Sequence, residues 1–124
     1  MRFAMLVYET PEAFASRANE DPEPYRAAWR VFYQAMVAAG VHTGGDALEL
    51  PHAGATVRVA GGRRHVQDGP YADTKEQLAG VAYLELPSLE EAIAWAARCP
   101  AAAMGAVEVR PLAPEAKRRI TEAE

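Results

Sequence analysis

The stretch Met1-Arg2-Phe3-Ala4-Met5-Leu6-Val7-Tyr8-Glu9 decides the reading of the fold. In an extended chain Phe3, Met5 and Val7 point to one side and Ala4, Leu6 and Tyr8 to the other, so the strand is apolar on both faces. Such a strand sits centrally in a sheet, with a layer over each side. The next element reads as a helix. Asp21-Pro22 supplies a start signal and Gly40 a stop, while Tyr25, Trp29, Phe32 and Met36 recur at spacings of one helical turn and form a single apolar stripe. That stripe predicts a helix laid on the sheet.

Further along, Gly44-Gly45 precedes a short strand around Leu48, and a clearer strand spans 55–60, where Val57 and Val59 alternate with Arg58. Gly61-Gly62 predicts a tight turn, with 64–67 returning as the hairpin partner until Asp68-Gly69-Pro70 breaks the ladder. A strand over 80–86 follows. Ser88 and Glu91 form a capping box for a helix that Pro100 ends, residues 105–110 alternate as a last strand, and 113–124 read as a polar tail helix. The order fits a single α+β domain over 1–124, ferredoxin-like βαββαβ with an antiparallel sheet and helices on one face. The first strand's second apolar face then needs a cover. The simplest is the same face of another copy, so a homodimer through the sheet face is expected.

Composition agrees with a folded domain and narrows its function. Half the chain is apolar, yet 27 residues are alanine and only 23 are Leu, Ile, Val or Phe, so large core side chains are scarce. The net charge of −4 gives no field to gather phosphate backbones and disfavours nucleic acid. No apolar run is long enough to span a membrane, and the N-terminus lacks signal-peptide zones, so a cytoplasmic location is expected. The single cysteine, Cys99, cannot form an internal disulfide and reads as a buried structural thiol. His42, His52 and His65 are spaced too widely to share a helical face, which argues against a metal site, and no cofactor motif is present.

The run Asp68-Gly69-Pro70-Tyr71, continuing through Asp73-Thr74-Lys75-Glu76, resembles the hallmark of the YCII-related domain family, specifically its DGPF group. Trp95-Ala96-Ala97-Arg98-Cys99-Pro100 is similar to that group's second-helix motif and Glu108-Val109-Arg110-Pro111 to its last strand. Gly44-Gly45 and Thr56-Val57-Arg58 fall where the pattern places them, so the resemblance covers nearly the whole chain. It implies a dimeric α+β barrel. In the wider superfamily, which includes lactone isomerases and a dehydrochlorinase, it implies a His and Asp pair for acid-base work. Here Trp29 occupies the histidine's position and Tyr71 replaces the usual phenylalanine, which leaves Asp68 as the remaining hallmark acid.

From the residues themselves, Asp68 is either the acceptor that closes a turn or, if desolvated between subunits, a proton-transfer group. Arg58, Lys75 and Arg110 are cations suited to a small carboxylate, and Tyr71 and Tyr83 can add hydroxyls to the same pocket. The reading is therefore a homodimer with a pocket for a small acid near the Asp-Gly-Pro-Tyr turn. Two alternatives stand beside it. One is an isomerase- or lyase-type enzyme using Asp68. The other is a regulatory or interaction module, since the DGPF group resembles domains linked to extracytoplasmic-function sigma factors.

Overall fold

Every second residue of β1 (Arg2–Glu9) is buried, from Phe3 through Met5 and Val7 to Glu9, while Ala4, Leu6 and Tyr8 on the other face are half-buried. In this computed structural model, which describes residues 1–18 and 24–122, that strand lies inside a four-stranded antiparallel sheet of order β2-β5-β1-β6. Its neighbours are β2 (His42–Ala47), β5 (Gln77–Glu85) and β6 (Ala106–Pro111). Cross-strand pairing puts Phe3, Met5, Val7, Leu84, Ala82, Val107 and Val109 on one face. Against that face lie α2 (Pro24–Ala38) and α3 (Leu89–Arg98), and the core gathers there around Phe3, Met5, Phe32, Met36 and Leu84. This is the expected α+β, ferredoxin-like order.

The helices form for the reasons written in the sequence. Thr10 caps the short α1 (Pro11–Ala15), its hydroxyl accepting from the Ala13 amide at 3.3 Å, and Ser88 caps α3 by accepting from Glu91 at 3.3 Å. Gly40, at φ 71°, ends α2 in the left-handed region that favours glycine. Pro100 closes α3 and leads into a single turn, α4 (Ala101–Met104). The tail carries α5 (Pro114–Thr121), where Arg118 pairs with Glu115 at 2.9 Å and Glu122 at 3.4 Å. The expected start of α2 at Asp21-Pro22 lies outside the described residues. Among the described residues no helix is long and apolar enough to cross a membrane.

Two expectations change in detail. The strand anticipated around Leu48 runs instead over His42–Ala47, with Gly44-Gly45 inside it rather than before it. Gly45 is required there because a Cβ would collide with the Val81 carbonyl on β5, so glycine permits close pairing instead of marking a break. The hairpin does not join the main sheet. Instead β3 (Ala55–Ala60) and β4 (Arg63–Asp68) pair only with each other, around Gly61-Gly62 at φ 59° and 74°. They are inserted into the connection between β2 and β5.

Cys99 is buried at the end of α3, and burial pushes its thiol up to about 11. The folded chain thus holds the thiol proton more tightly than the unfolded chain, whose thiol titrates near 9.0. Stability is complete below that value and declines as pH climbs towards 11, by about 2–3 kcal/mol. Urea unfolding between pH 7 and pH 10.5 should therefore show a smaller alkaline loss in Cys99→Ala than in the wild type. Equal losses would mean that the site admits the thiolate without strain.

Candidate functional site

The alternation that buries Phe3, Met5 and Val7 carries one step further, to Glu9, which is only 6% exposed. A carboxylate there must be satisfied by the protein, because a buried charge without partners is costly. Two side chains do so. The Tyr25 hydroxyl, at the start of α2, donates to Glu9 Oε2, and the Arg17 guanidinium approaches Glu9 Oε1 at 3.6 Å. Arg17 sits on the 3₁₀ turn Ser16–Ala18 that follows α1. The nitrogen that approaches Glu9, Nη2, donates to the Ala79 carbonyl at 3.1 Å, and Nη1 donates to the Leu48 carbonyl.

The sheet makes this possible through a local irregularity. The β1–β5 register shifts after Val7, which pairs with Gly80 while Tyr8 pairs with Leu78, leaving Ala79 as an extra residue on β5. A bulge of this kind turns backbone groups out of the ladder. The Ala79 carbonyl receives both the Leu48 amide, at 2.8 Å, and Arg17. Burial, reinforced by the hydrogen bond to Glu9, raises the Tyr25 hydroxyl above its usual range, so it remains a donor at any physiological pH.

Glu9, Arg17 and Tyr25 close one end of a cavity of about 380 Å³ between α2 and the helix-side face of β1, β5 and β2. Its walls are mainly apolar. Trp29 stands along it, edge-on to Tyr25 at 6.4 Å and to Phe32 at 5.8 Å between ring centroids. At another part of the lining Tyr33 meets the His42 ring at 5.1 Å. Gly45, Gly80 and Ala82 contribute almost no side-chain bulk to the floor, which keeps the space open. A volume of this size with a few convergent polar groups suits a small organic molecule.

The residues singled out from the sequence lie elsewhere, in two groups. Asp68 is exposed at the end of β4, and the turn after it is held through Gly69: its amide donates to the Gly54 carbonyl at 2.9 Å and its carbonyl accepts from the Thr56 hydroxyl at 2.9 Å. Nearby, the Arg58 guanidinium lies 5.8 Å from the Tyr71 ring centroid. Lys75 is exposed in the loop before β5. Tyr83 and Arg110 share a row on the other face of the sheet, across Ala4, where Arg2 covers the Tyr83 ring at 5.8 Å and Arg110 reaches Glu108 at 4.0 Å. None of these six lines the cavity. Among the described residues, no group of three or more His, Cys, Asp or Glu is placed to hold a metal ion.

The sequence profile of the YCII-related domain matches residues 1–116. The chain belongs to the YCII-related domain family. It is 34% identical over 115 residues to an uncharacterised protein of Rhizobium meliloti (strain 1021), covering 91% of this chain and 93% of that one. Among solved structures it is similar to the 5-chloro-2-hydroxyhydroquinone dehydrochlorinase of Burkholderia phenoliruptrix AC1100, determined in complex with 2,5-dihydroxybenzoquinone. That likeness has a TM-score of 0.51 at 16% identity and covers 91% of this chain and 94% of the other, which shows a shared fold. In this YCII-related protein Trp29 does face the cavity, so the position that drew attention in the sequence is part of the site. Glu9, Arg17 and Tyr25 were missed. The available signal was the phase of Glu9, which alternation alone puts on the buried side of the first strand.

Proposed function

We propose that this YCII-related protein is a homodimer that binds a small, flat, uncharged molecule bearing a hydroxyl group in the cavity beneath α2. The supporting observation is the buried Glu9 carboxylate at the cavity's end, whose neighbouring cation is already engaged. Arg17 donates to two backbone carbonyls and lies beside Glu9, and Arg26, the other cation of the lining, is exposed, so an anion entering that end meets a buried carboxylate whose charge partner the protein already holds. A neutral hydroxyl instead donates to Glu9, and an aromatic ring packs against Trp29. The dehydrochlorinase with the same fold was solved with a flat, oxygen-bearing ring, which is the same shape class.

Catechol and benzoate separate the possibilities by size-matched chemistry. At about a hundred times Kd a ligand adds roughly 2.7 kcal/mol and raises the melting temperature by several degrees. Catechol is expected to do so and benzoate is not. Ala82→Phe, which fills the floor of the cavity, should remove the catechol shift. Equal shifts from both ligands would sink the charge argument, and a shift that survives Ala82→Phe would move the site elsewhere. A small acid held by Arg58 and Tyr71 beside Asp68 is the second reading, favoured by the exposed stack of those two side chains. Its signature is a benzoate shift abolished by Arg58→Ala.

The dimer part of the proposal rests on the sheet's other face. One row across it reads Asp46, Val81, Leu6, Glu108, an apolar centre between two carboxylates on the edge strands, and Ala4 lies in the row beside it. A second copy laid face to face covers Leu6, Val81 and Ala4 and leaves the acids at the rim. Light scattering at micromolar concentration should give twice 13.4 kDa.

A further inference from the structure

We infer that the β3–β4 hairpin is an arm that docks on the second copy of this chain, an inference that rests on the homodimer reading. The hairpin is a two-stranded sheet on its own, and all six residues of β4 are exposed. A pair of strands that buries nothing is marginally stable in water, so this one requires a surface to lie on. Its pairing register shows which side needs covering. Val57 lies opposite Val66 and Val59 opposite Arg64, so Val57, Val59, Val66 and Arg64 share one face with Ala55 and Asp68. The three valines are 58%, 70% and 56% exposed. The opposite face carries Thr56, Arg58, Arg63, His65 and Gln67, with Ala60 as its one apolar residue.

The occupant follows from charge and position. The valine face of the arm carries one cation, Arg64, and one carboxylate, Asp68, while Arg58 and Arg63 lie on its polar face, so the surface that suits it offers apolar side chains with a carboxylate beside them for Arg64. The hairpin leaves the main sheet between β2 and β5, at the edge where Asp46 borders the open face centred on Leu6 and Val81. When two such faces meet, each arm continues the interface past its own sheet edge. There its valines extend the apolar centre of Leu6 and Val81, and Arg64 comes opposite a rim carboxylate, Asp46 or Glu108, of the other copy. Asp68 lies on the same face of the arm and becomes part of the interface. That placement gives the hallmark acid a desolvated environment that the single chain lacks.

The test compares dimer dissociation constants by sedimentation or light scattering over a dilution series. Val57→Asp/Val66→Asp is expected to weaken the dimer by about a hundredfold or more, with far-UV circular dichroism unchanged because neither residue belongs to the core. His65→Asp/Gln67→Glu, on the polar face of the same hairpin, is expected to leave the dimer intact. Leu6→Lys reports on the sheet face separately. If Leu6→Lys yields monomers while the valine variant stays as dimeric as the wild type, the arm is wrong and the homodimer stands. A wild type that is monomeric at high micromolar concentration overturns both. Equal weakening by the valine and the polar-face variants also overturns the arm, because the effect then follows hairpin disruption and not the apolar face.

Discussion

Arg17→Met is expected to lower the unfolding free energy by about 3 kcal/mol, towards the lower end of what breaking a buried ion pair costs. The cost arises less from losing an attraction than from what is left behind. Glu9 stays buried with only the Tyr25 hydroxyl to hold it, and the carbonyls of Leu48 and Ala79 lose a shared donor. Arg17 keeps about a quarter of its side chain in water, which tempers the effect. The double variant Arg17→Met/Glu9→Leu should be more stable than Arg17→Met alone, since removing both charges leaves no orphan. Tyr25→Phe should cost about 1–2 kcal/mol on the same argument for a single hydrogen bond to a charged group. Urea unfolding of the three variants and the wild type checks this. A loss below about 1 kcal/mol for Arg17→Met would place the pair with ordinary surface salt bridges and would deprive the cavity of its fixed polar end.

The fold was largely legible because its strongest features are local. Alternation in Phe3, Met5 and Val7 marks the core face, the turn spacing of Trp29, Phe32 and Met36 marks the helix above it, and Ser88 and Gly40 act as the caps their chemistry suggests. Helix α3 shows the limit of such patterns. Leu89 and Ile93 are exposed while Ala92 and Ala96 are buried, because a close approach to the sheet selects small residues over large ones. The second strand was displaced for a similar reason, since Gly44-Gly45 looks like a break unless the backbone of β5 is known to press against it. The site was less legible. Glu9, Arg17 and Tyr25 converge from three elements through a bulge at Ala79, and no motif records a bulge. The hallmark turn drew attention to Asp68 by its composition, but its position relative to the cavity depends on how an inserted hairpin leaves the sheet.

Phe3→Ala is expected to cost about 3–5 kcal/mol and to lower the melting temperature by on the order of 10–20 °C. Phe3 is fully buried, paired with Leu84 and Pro111 across the sheet and packed in the cluster with Phe32 and Met36, so its loss leaves a cavity that rigid neighbours on two layers cannot close. Because the site is interior to one chain, the penalty should not depend on protein concentration. Leu6→Ala provides the contrast. Leu6 is half-buried on the opposite face of the same strand, and within one chain its truncation removes only part of a side chain's transfer free energy, about 1 kcal/mol. If a second copy covers that face, the deficit must grow with protein concentration, because the wild type then gains stability by association that the variant gains less of. Melting both variants and the wild type across a hundredfold dilution series separates the two faces of one strand. A concentration-dependent deficit for Phe3→Ala, or a concentration-independent one for Leu6→Ala, would contradict the assignment of core to one side and subunit contact to the other.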